Sequence, residues 1–551
     1  ETTVIHNGKI TVNNEKGKGI VLSVADKKLG DNILTNNSIG QITINGGIGV
    51  ELYAKNENGG KNTFTNNGKI ITNNGIGIKI GHNGAVTNTE KGTITVNSGT
   101  GVIINNKTSS FTNNGKLDVN DGVGIEQNQG TFINNNNITV NKGVGIVLKN
   151  GEFTNEKDKT INVSGAENIA IQQTGGTLNN LGTIIVENGG TGIDVSATGK
   201  LGKTAGSINV SGEGSTGIKI SESSTQKISY NGLIDVKGGT GVEVLGGEFE
   251  SKKNIIVKNG TGIKLSNGTI TNIGLIDVTE KGTGIEILDG EFTNTGKGDN
   301  GIHVLGDGSV GISQTGGIVN NDGGIDVKNN GVGVQISDGT FNSTNRILIS
   351  SGTGIAVSNG TVNNSGAVTI SKGGTGIVVS NGTVNNSGTV TISKGENGTG
   401  IKLSGGTLEN SKKIDVQGSG TGIELTGGEA VNKGNISVGK ENGTGVSVNG
   451  GKFTNEKEIK IYSGIGINVA KGEFINKDNK GADAIYISTG IGINIEKDGK
   501  VLNEGKINVA GGNGIGVALN DSMFVNSGEI FGKGTAIQSI KGNNTVYLKN
   551  G

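Results

Sequence analysis

The sequence predicts an all-β protein, a single-stranded right-handed parallel β-helix (β-solenoid) with three short strands per rung and about 23 rungs. A glycine-led landmark, usually G-[T/I/V]-G-[I/V], recurs about every 23.5 residues from Gly19 to Ala536. After each landmark, apolar and polar residues alternate as they do in half-buried strands. Such short repeats cannot bury an apolar face alone, so they must stack. The β-crossover rule favours the right-handed path.

The first strand of each repeat begins at the landmark. Residues 352–373 read GTGIAVSNGTVNNSGAVTISKG, and residues 374–395 repeat them almost unchanged. In the second copy, Gly376 is followed by Ile377 and Val379 at positions +1 and +3. The landmark glycine serves either a turn of positive φ or a close backbone approach, and the sequence leaves both open.

The second strand carries an apolar residue at +8 and, in 13 of the 23 repeats, an asparagine at +10. Position +8 is Phe in eight repeats: Phe132, Phe153, Phe249, Phe292, Phe341, Phe453, Phe474 and Phe524. Alternation places +8 and +10 on the same inward face. We therefore expect a buried phenylalanine column and a buried amide ladder that includes Asn364, Asn386, Asn410 and Asn432. The alternative is that these amides hold a ligand.

The third strand has apolar residues at +14 and +16, as at Val390 and Ile392. Turns rich in Gly, Asn and Ser separate the three strands. Because the composition does not shift along the chain, residues 1–551 are predicted to form one continuous β-helix domain. Its first rungs, about residues 1–60, are irregular, and the chain is expected to be a fragment of a longer one.

Composition excludes several classes of protein. The chain lacks Cys and Pro, and Lys plus Arg balance Asp plus Glu at 48 each. This balance argues against a nucleic-acid or anionic-membrane surface. No apolar run is long enough to span a bilayer, and residues 1–20 contain no signal-peptide core. The histidines (His6, His82, His303) and Arg346 are predicted to be solvated surface residues. We expect no catalytic residues, cofactor or metal.

Charged insertions distinguish some repeats, largely in the turn after the asparagine at +10. The candidate binding-loop residues are Lys297, Asp299, Asn300, Lys477, Asp478, Lys480, Asp483 and, after an irregular early segment, Tyr53. In solenoids, insertions often line the binding face. The alternative interpretation is that they are solvated turns that tolerate extra length at little cost.

The GTGI…G-x-F-T-N-x-G-x-I-x-V pattern covers nearly the whole chain. It resembles the passenger region of large type V (classical) autotransporter adhesins, and the Asn/Lys/Ile-rich, proline-free composition is similar to the giant fusobacterial outer-membrane autotransporters. The resemblance implies a non-catalytic virulence or coaggregation adhesin stalk at the bacterial cell surface, extracellular and anchored to the outer membrane. Its partners would be host-cell glycan or protein receptors, or other bacteria, and the stalk would be a monomeric rod without a membrane span in these residues.

Two other classes of protein stay open from the sequence. One is a carbohydrate-active β-helix enzyme or phage tailspike-like protein, which needs carboxylates in neighbouring rungs on one face. The sequence does not reveal such a cluster. The other is a structural surface filament, which would polymerise through the strand edges of its end rungs.

Overall fold

The computed structural model describes residues 2–24, 30–296 and 301–549. The chain divides into two compact units, residues 1–274 (unit 1) and 275–551 (unit 2). Within the described residues each unit consists of short strands and turns without a helix. The strands pair in parallel in three sheets, which confirms the predicted all-β solenoid class. Whether residues 1–551 behave as one domain stays a prediction.

Each rung contributes one strand to each of three sheets in the order sheet 1, sheet 2, sheet 3. In unit 1, sheet 1 comprises Lys18–Val24, Ile48–Ala54, Ile76–Ile80, Thr100–Ile104, Val123–Gln127, Val144–Leu148, Ile169–Gln173, Thr191–Val195, Thr216–Ile220, Thr240–Val244 and Thr261–Leu265. Sheet 2 comprises Thr2–His6, Asn32–Asn36, Asn62–Asn66, Gly84–Asn88, Ser110–Asn113, Thr131–Asn134, Glu152–Asn155, Thr177–Asn180, Lys200–Leu201, Lys227–Tyr230, Glu248–Ser251 and Thr269–Asn272. Sheet 3 comprises Lys9–Val12, Gln41–Ile44, Lys69–Thr72, Thr93–Val96, Lys116–Val119, Ile138–Val140, Thr160–Ser164, Thr183–Glu187, Ser207–Ser211, Ile234–Lys237 and Ile255–Val257.

Unit 2 repeats the same order. Its sheet 1 comprises Thr283–Ile287, Val310–Gln314, Val332–Ile336, Thr353–Val357, Thr375–Val379, Thr399–Leu403, Thr421–Leu425, Gly490–Ile495, Gly514–Asn520 and Thr535–Lys541. Sheet 2 comprises Glu291–Asn294, Ile318–Asn321, Thr340–Ser343, Thr361–Asn364, Thr383–Asn386, Thr407–Asn410, Glu429–Asn432, Gly499–Asn503, Met523–Asn526 and Thr545–Leu548. The long strands Thr444–Asn455 and Ile465–Asn476 run through sheets 1 and 2. Sheet 3 comprises Ile276–Val278, Ile302–Val304, Ile325–Val327, Ile347–Ile349, Val368–Ile370, Val390–Ile392, Ile414–Val416, Ile436–Val438, Ile459–Ile461, Asp483–Ile487, Lys506–Val509 and Ile530–Gly532.

The core follows directly from the alternation along each strand. Ile377, Val379, Val384, Val390 and Ile392 are fully buried, as positions +1, +3, +8, +14 and +16 require. Like residues stack on like residues, because each strand pairs in register with the same strand of the next repeat. Every rung therefore buries the same apolar set against its neighbours, which a single repeat could not do.

The landmark glycines lie where the backbones of successive rungs approach closely. A Cβ atom on Gly376 would lie 2.5 Å from the carbonyl oxygen of Gly400 and 2.9 Å from Cγ1 of Val368. The left-handed glycines lie at other positions, such as Gly382, which has a φ of 100°. Of the two interpretations left open, close approach therefore holds at the landmark, while the positive φ belongs to the turn six residues later.

Extra residues occur at all three corners, which corrects the expectation that they gather largely at one. Residues 477–482 do join sheet 2 to sheet 3. Residues 55–61 and 221–226 instead join sheet 1 to sheet 2, and residues 393–398 join sheet 3 to sheet 1. The physical reason is that every corner lies outside the paired strands, so additional residues at any corner cost only loop entropy.

Candidate binding surfaces

The predicted phenylalanine column lies in the core, so it is not part of any accessible surface. Each predicted Phe is fully buried. The rings of Phe111, Phe132 and Phe153 stack with centroid distances of 5.2 and 4.6 Å, and Phe453 stacks on Phe474 at 5.9 Å. Counting from the landmarks missed Phe64 and Phe111, because the long turns before these residues shift their offsets from the landmark.

The asparagines at +10 form an amide ladder inside sheet 2. In unit 2, Asn364 donates to Asn386 (2.8 Å), Asn386 to Asn410 (2.7 Å) and Asn410 to Asn432 (2.8 Å), and all are buried. Each Nδ2 also donates to a backbone carbonyl two residues later, as Asn386 does to Gly388 (2.8 Å). These amides are occupied by one another and by the backbone, and they are closed to solvent. The interpretation that they hold a ligand is therefore not supported.

The ladder is longer than the landmark count indicates. In unit 1 it also runs through asparagines at shifted offsets, Asn36, Asn66, Asn88 and Asn113. It has ends where another residue occupies the column. Ser343 precedes Asn364, whose buried Oδ1 accepts no hydrogen bond. Such an atom carries a desolvation cost that a longer amide side chain at 343 would relieve.

The predicted binding loops fall into two groups. Lys297, Asp299 and Asn300 lie outside the described residues. The other loop is closed by its own contacts. Asn479 pairs with Ala482 in an isolated antiparallel bridge, and the amide nitrogen of Gly481 donates to Asp478 Oδ1 at 3.1 Å.

Two charged residues of this second loop and its edge, Lys477 and Asp483, are held by side-chain contacts. Lys477 Nζ lies 2.8 Å from Glu504 Oε2. Lys480 adopts a positive φ of 51° at the tip. Asp483 begins the following strand of sheet 3, and its Oδ2 accepts a hydrogen bond from Asn508 Nδ2 at 2.8 Å. Asp483 is thereby tied to the outer face of sheet 3.

Tyr53 is an exposed strand residue and does not belong to a loop. It lies within Ile48–Ala54 of sheet 1, is 48% exposed, and pairs in register with Ser23. Nearby, the Glu51 carboxylate lies between Lys18 Nζ (2.6 Å) and Lys79 Nζ (3.2 Å). Burial alone would raise the pKa of Glu51, but hydrogen bonds and charge from the two lysines hold it below 4.5. Each lysine comes from an adjacent rung, so this group joins three rungs.

The outer face of sheet 3 in unit 2 brings together a titratable cluster that sequence reasoning missed. Asp277, His303 and Asp326 occupy the same position of three successive rungs. His303 Nε2 lies 4.0 Å from Asp326 Oδ2, and Arg346 NH2 lies 3.6 Å from the same oxygen. His303, predicted to be a solvated surface residue, lies half-buried on the outer face beside Asp326. Extra residues between Asn294 and Ile302 shift its offset from the landmark, but the motifs IDV, IHV and IDV read back from the third strand would have aligned it.

A second outer-face cluster contains most of the aromatic side chains that lie outside the core. Lys460, Tyr486, Asn508 and Phe531 pair in register in four successive rungs of sheet 3. Lys460 Nζ lies 5.2 Å from the ring centroid of Tyr462 and 5.1 Å from that of Tyr486. Hydrogen bonding to the Tyr462 side chain, with its charge, raises the pKa of Lys460. We call these five residues the aromatic strip.

Sheet 2 of unit 2 carries a third surface feature, an open polar groove of about 530 Å³. An outward amide ladder runs along it, in which Asn385 donates to Asn363 and Asn363 donates to Asn342, both at 2.9 Å. These amides alternate with the buried ladder on the same strands. The groove is lined by amides and hydroxyls and by the carboxylate of Glu409, without an exposed aromatic ring.

Comparison of the chain with protein-family models and with curated proteins finds no match. In the described part of the chain, no helix has the length and apolar character needed to cross a membrane. Within those same residues, no three His, Cys, Asp or Glu side chains are grouped so that they could hold a metal ion.

Proposed function

We propose that this chain is a non-catalytic segment of a bacterial surface adhesin, an extracellular stalk that presents or mediates attachment to host cells or other bacteria. The observation that carries the proposal is the difference between the inward and the outward positions of each strand. Inward positions repeat the same Ile, Val, Phe and Asn residues, while outward positions vary from rung to rung. A stack of this kind can be lengthened by repeating the same inward residues, because each rung contacts only its neighbours. It displays many outward side chains, which suits multivalent attachment.

Charge pairing supports attachment through neutral contacts. The chain has equal numbers of acidic and basic residues. Some of the outward charges form pairs within or between rungs, such as Lys402 with Glu424 (3.1 Å) and Lys433 with Glu409 (2.7 Å). A surface of this kind exerts no net long-range attraction on polyanions.

The test is binding of the purified chain to host epithelial cells and to other bacteria, measured as a saturable isotherm. A variant in which residues 477–482 are replaced by a tight Asn-Gly turn is run beside it. We expect saturable binding by the parent chain. Loss of binding on trimming would assign the contact to that loop, while retained binding would place it elsewhere on the surface. Absence of saturable binding by the well-folded chain to every cell type would contradict attachment mediated by this chain and would leave it only the role of a presenting stalk.

A second candidate function is favoured by the Asp277, His303 and Asp326 column. Two carboxylates two rungs apart, with a histidine on the rung between them and Arg346 beside Asp326, are the residue types that glycoside hydrolysis uses. Release of reducing ends or unsaturated products from a polysaccharide panel would test it. Activity that is abolished by Asp326→Asn and by His303→Ala would replace the adhesin proposal with an enzymatic one.

A further inference from the structure

We propose that the aromatic strip of unit 2 is a binding site for a neutral, extended glycan chain, whose pyranose rings stack on Tyr486 and Phe531. The proposal rests on the proposed adhesin function and supplies its ligand class and site. It is carried by side chains that share one face of sheet 3 in consecutive rungs.

The distribution of aromatic residues first points to this face. The chain has 5 Tyr and 11 Phe. Ten phenylalanines and Tyr230 are fully buried, which leaves five aromatic residues outside the core. Three of these, Tyr462, Tyr486 and Phe531, lie in the aromatic strip, and Tyr462 and Phe531 are each 40% exposed. Outward aromatic rings are not needed for stacking, because their strands already bury Ile485, Ile487 and the equivalent residues on the opposite face.

The order of side chains along the strip matches the chemistry of a sugar polymer. Tyr486 and Phe531 are separated by two rungs, about 10 Å, with Asn508 between them. One pyranose unit of an extended chain is about as long as a rung is tall, so alternate sugars can lie over the two rings. Stacking uses the apolar C–H face of each sugar against the electron-rich ring face. The sugar between them presents hydroxyl groups to Asn508.

The side-chain amide of Asn508 has an orientation that is fixed by a hydrogen bond. Its Nδ2 donates to Asp483 Oδ2 at 2.8 Å, which fixes the orientation of the amide. This contact uses one N–H of an amide that offers two donors and two acceptor lone pairs, and Asn508 is half-buried on the outer face. A donor and an acceptor side by side suit sugar hydroxyls, which both give and accept hydrogen bonds.

Local charges select against an ionic ligand. Lys460 lies between the two tyrosine rings, where it excludes a second cation. Glu458 offsets its charge. Lys506 Nζ lies 3.4 Å from Glu529 Oε2, beside the strip. With these charges balanced, neither a polyanion nor a polycation gains much from binding here. The strip lies on a sheet face, which favours an extended polymer over a small ligand that needs a concave site.

The experiment measures binding of the whole chain to cellohexaose, chitohexaose and a β-linked galactohexaose, with a hexagalacturonate as the charged comparison. Calorimetry gives the affinity, and tyrosine fluorescence gives a local signal because the chain has no Trp. The variants are Tyr486→Ala, Phe531→Ala and the conservative Tyr486→Phe. Tyr547→Ala is the matched control, since it removes an exposed tyrosine from sheet 2 of the same unit, outside the strip.

We expect at least one neutral hexasaccharide to bind, and each Ala variant of the strip to weaken binding about tenfold. Tyr486→Phe should stay near the parent affinity, and Tyr547→Ala should change nothing. The inference is overturned by unchanged affinity in both strip variants, by preference for the hexagalacturonate, or by no binding of any neutral probe. If the chain binds cells without binding these glycans, this inference fails and the adhesin proposal stands. If the chain binds these glycans through the strip but does not bind cells, this inference stands and attachment to those cells by this chain is contradicted.

Discussion

Replacement of Asn386 by Leu tests whether the buried amide ladder stabilises the stack. Asn386 is 1% exposed and makes three hydrogen bonds. It accepts one from Asn364 (2.8 Å) and donates to Asn410 Oδ1 (2.7 Å) and to the Gly388 carbonyl (2.8 Å). Leucine has a similar size but can make none of them, so the substitution leaves three buried polar groups without these partners.

The expected loss follows from these contacts. Each buried donor or acceptor left without a partner costs about 1–3 kcal/mol. Burying the leucine side chain returns about 1.5–3 kcal/mol. Partial relaxation lets the flanking amides find other partners, so we expect a net loss of about 2–4 kcal/mol in the local free energy of unfolding. In a stack with nearest-neighbour contacts, the loss should concentrate in the rungs around residues 361–410.

Native-state hydrogen exchange of peptides covering residues 361–410 measures this loss. Asn385→Leu is the matched control, because Asn385 makes the same kind of amide contact, to Asn363 (2.9 Å), on the exposed face. Water replaces that contact, so we expect a change below about 0.5 kcal/mol. Unchanged or slower exchange in Asn386→Leu would refute the stabilising role of the ladder. Equal losses in the two variants would show that burial is not the cause.

Three further substitutions follow from the same contacts. Ser343→Asn should join the interrupted ladder by donating to the unpartnered Oδ1 of Asn364, which raises local protection by about 1 kcal/mol in hydrogen exchange; lower protection would contradict it. Phe249→Ala should cost about 3–5 kcal/mol in the local free energy of unfolding. Phe132→Ala should cost about 1–2 kcal/mol more than that, because Phe132 stacks on two rings. Equal losses by the same measurement would exclude a contribution from ring stacking. Because the two lysines hold the folded pKa of Glu51 below its ordinary value of 4.5, the stabilisation by Glu51 is present above pH 4.5 and is lost as pH falls through the folded pKa. Exchange in its rung should therefore accelerate as the pH is lowered below 4.5, and Glu51→Gln should remove that acceleration.

Much of the fold could be predicted because each inward position has one physical requirement. Apolar residues at +1, +3, +8, +14 and +16 are buried wherever the repeat has regular length, as Val384 and Val390 show. The same counting failed where a turn gained residues. Asn66 belongs to the buried ladder, but it lies 17 residues after its landmark, Gly49, because residues 55–61 lengthen the preceding corner. Offsets counted in both directions from each strand would have recovered it.

Candidate sites were harder to predict because outward side chains follow no common requirement. The sequence pointed to charged loops, yet the loop at 477–482 is closed by its own hydrogen bonds. His303 is predicted from the sequence to be a solvated surface residue, and only the strand register places it between Asp277 and Asp326. Neighbours across rungs lie more than 20 residues apart in the chain. Only the register of the strands reveals which outward residues meet.

The same reasoning indicates where function can reside in this chain. Stacking fixes the inward side chains and the landmark glycines, since a Cβ atom at a glycine such as Gly376 would strike the next rung. Selection for a ligand can therefore act on outward columns without disturbing the stack. Most outward positions in the central column of sheet 3 carry small polar or acidic residues, such as Thr369, Thr391 and Asp415. The change to Lys460, Tyr486 and Phe531 in the same column has no packing cause on the inner face, which is why we assign it to recognition.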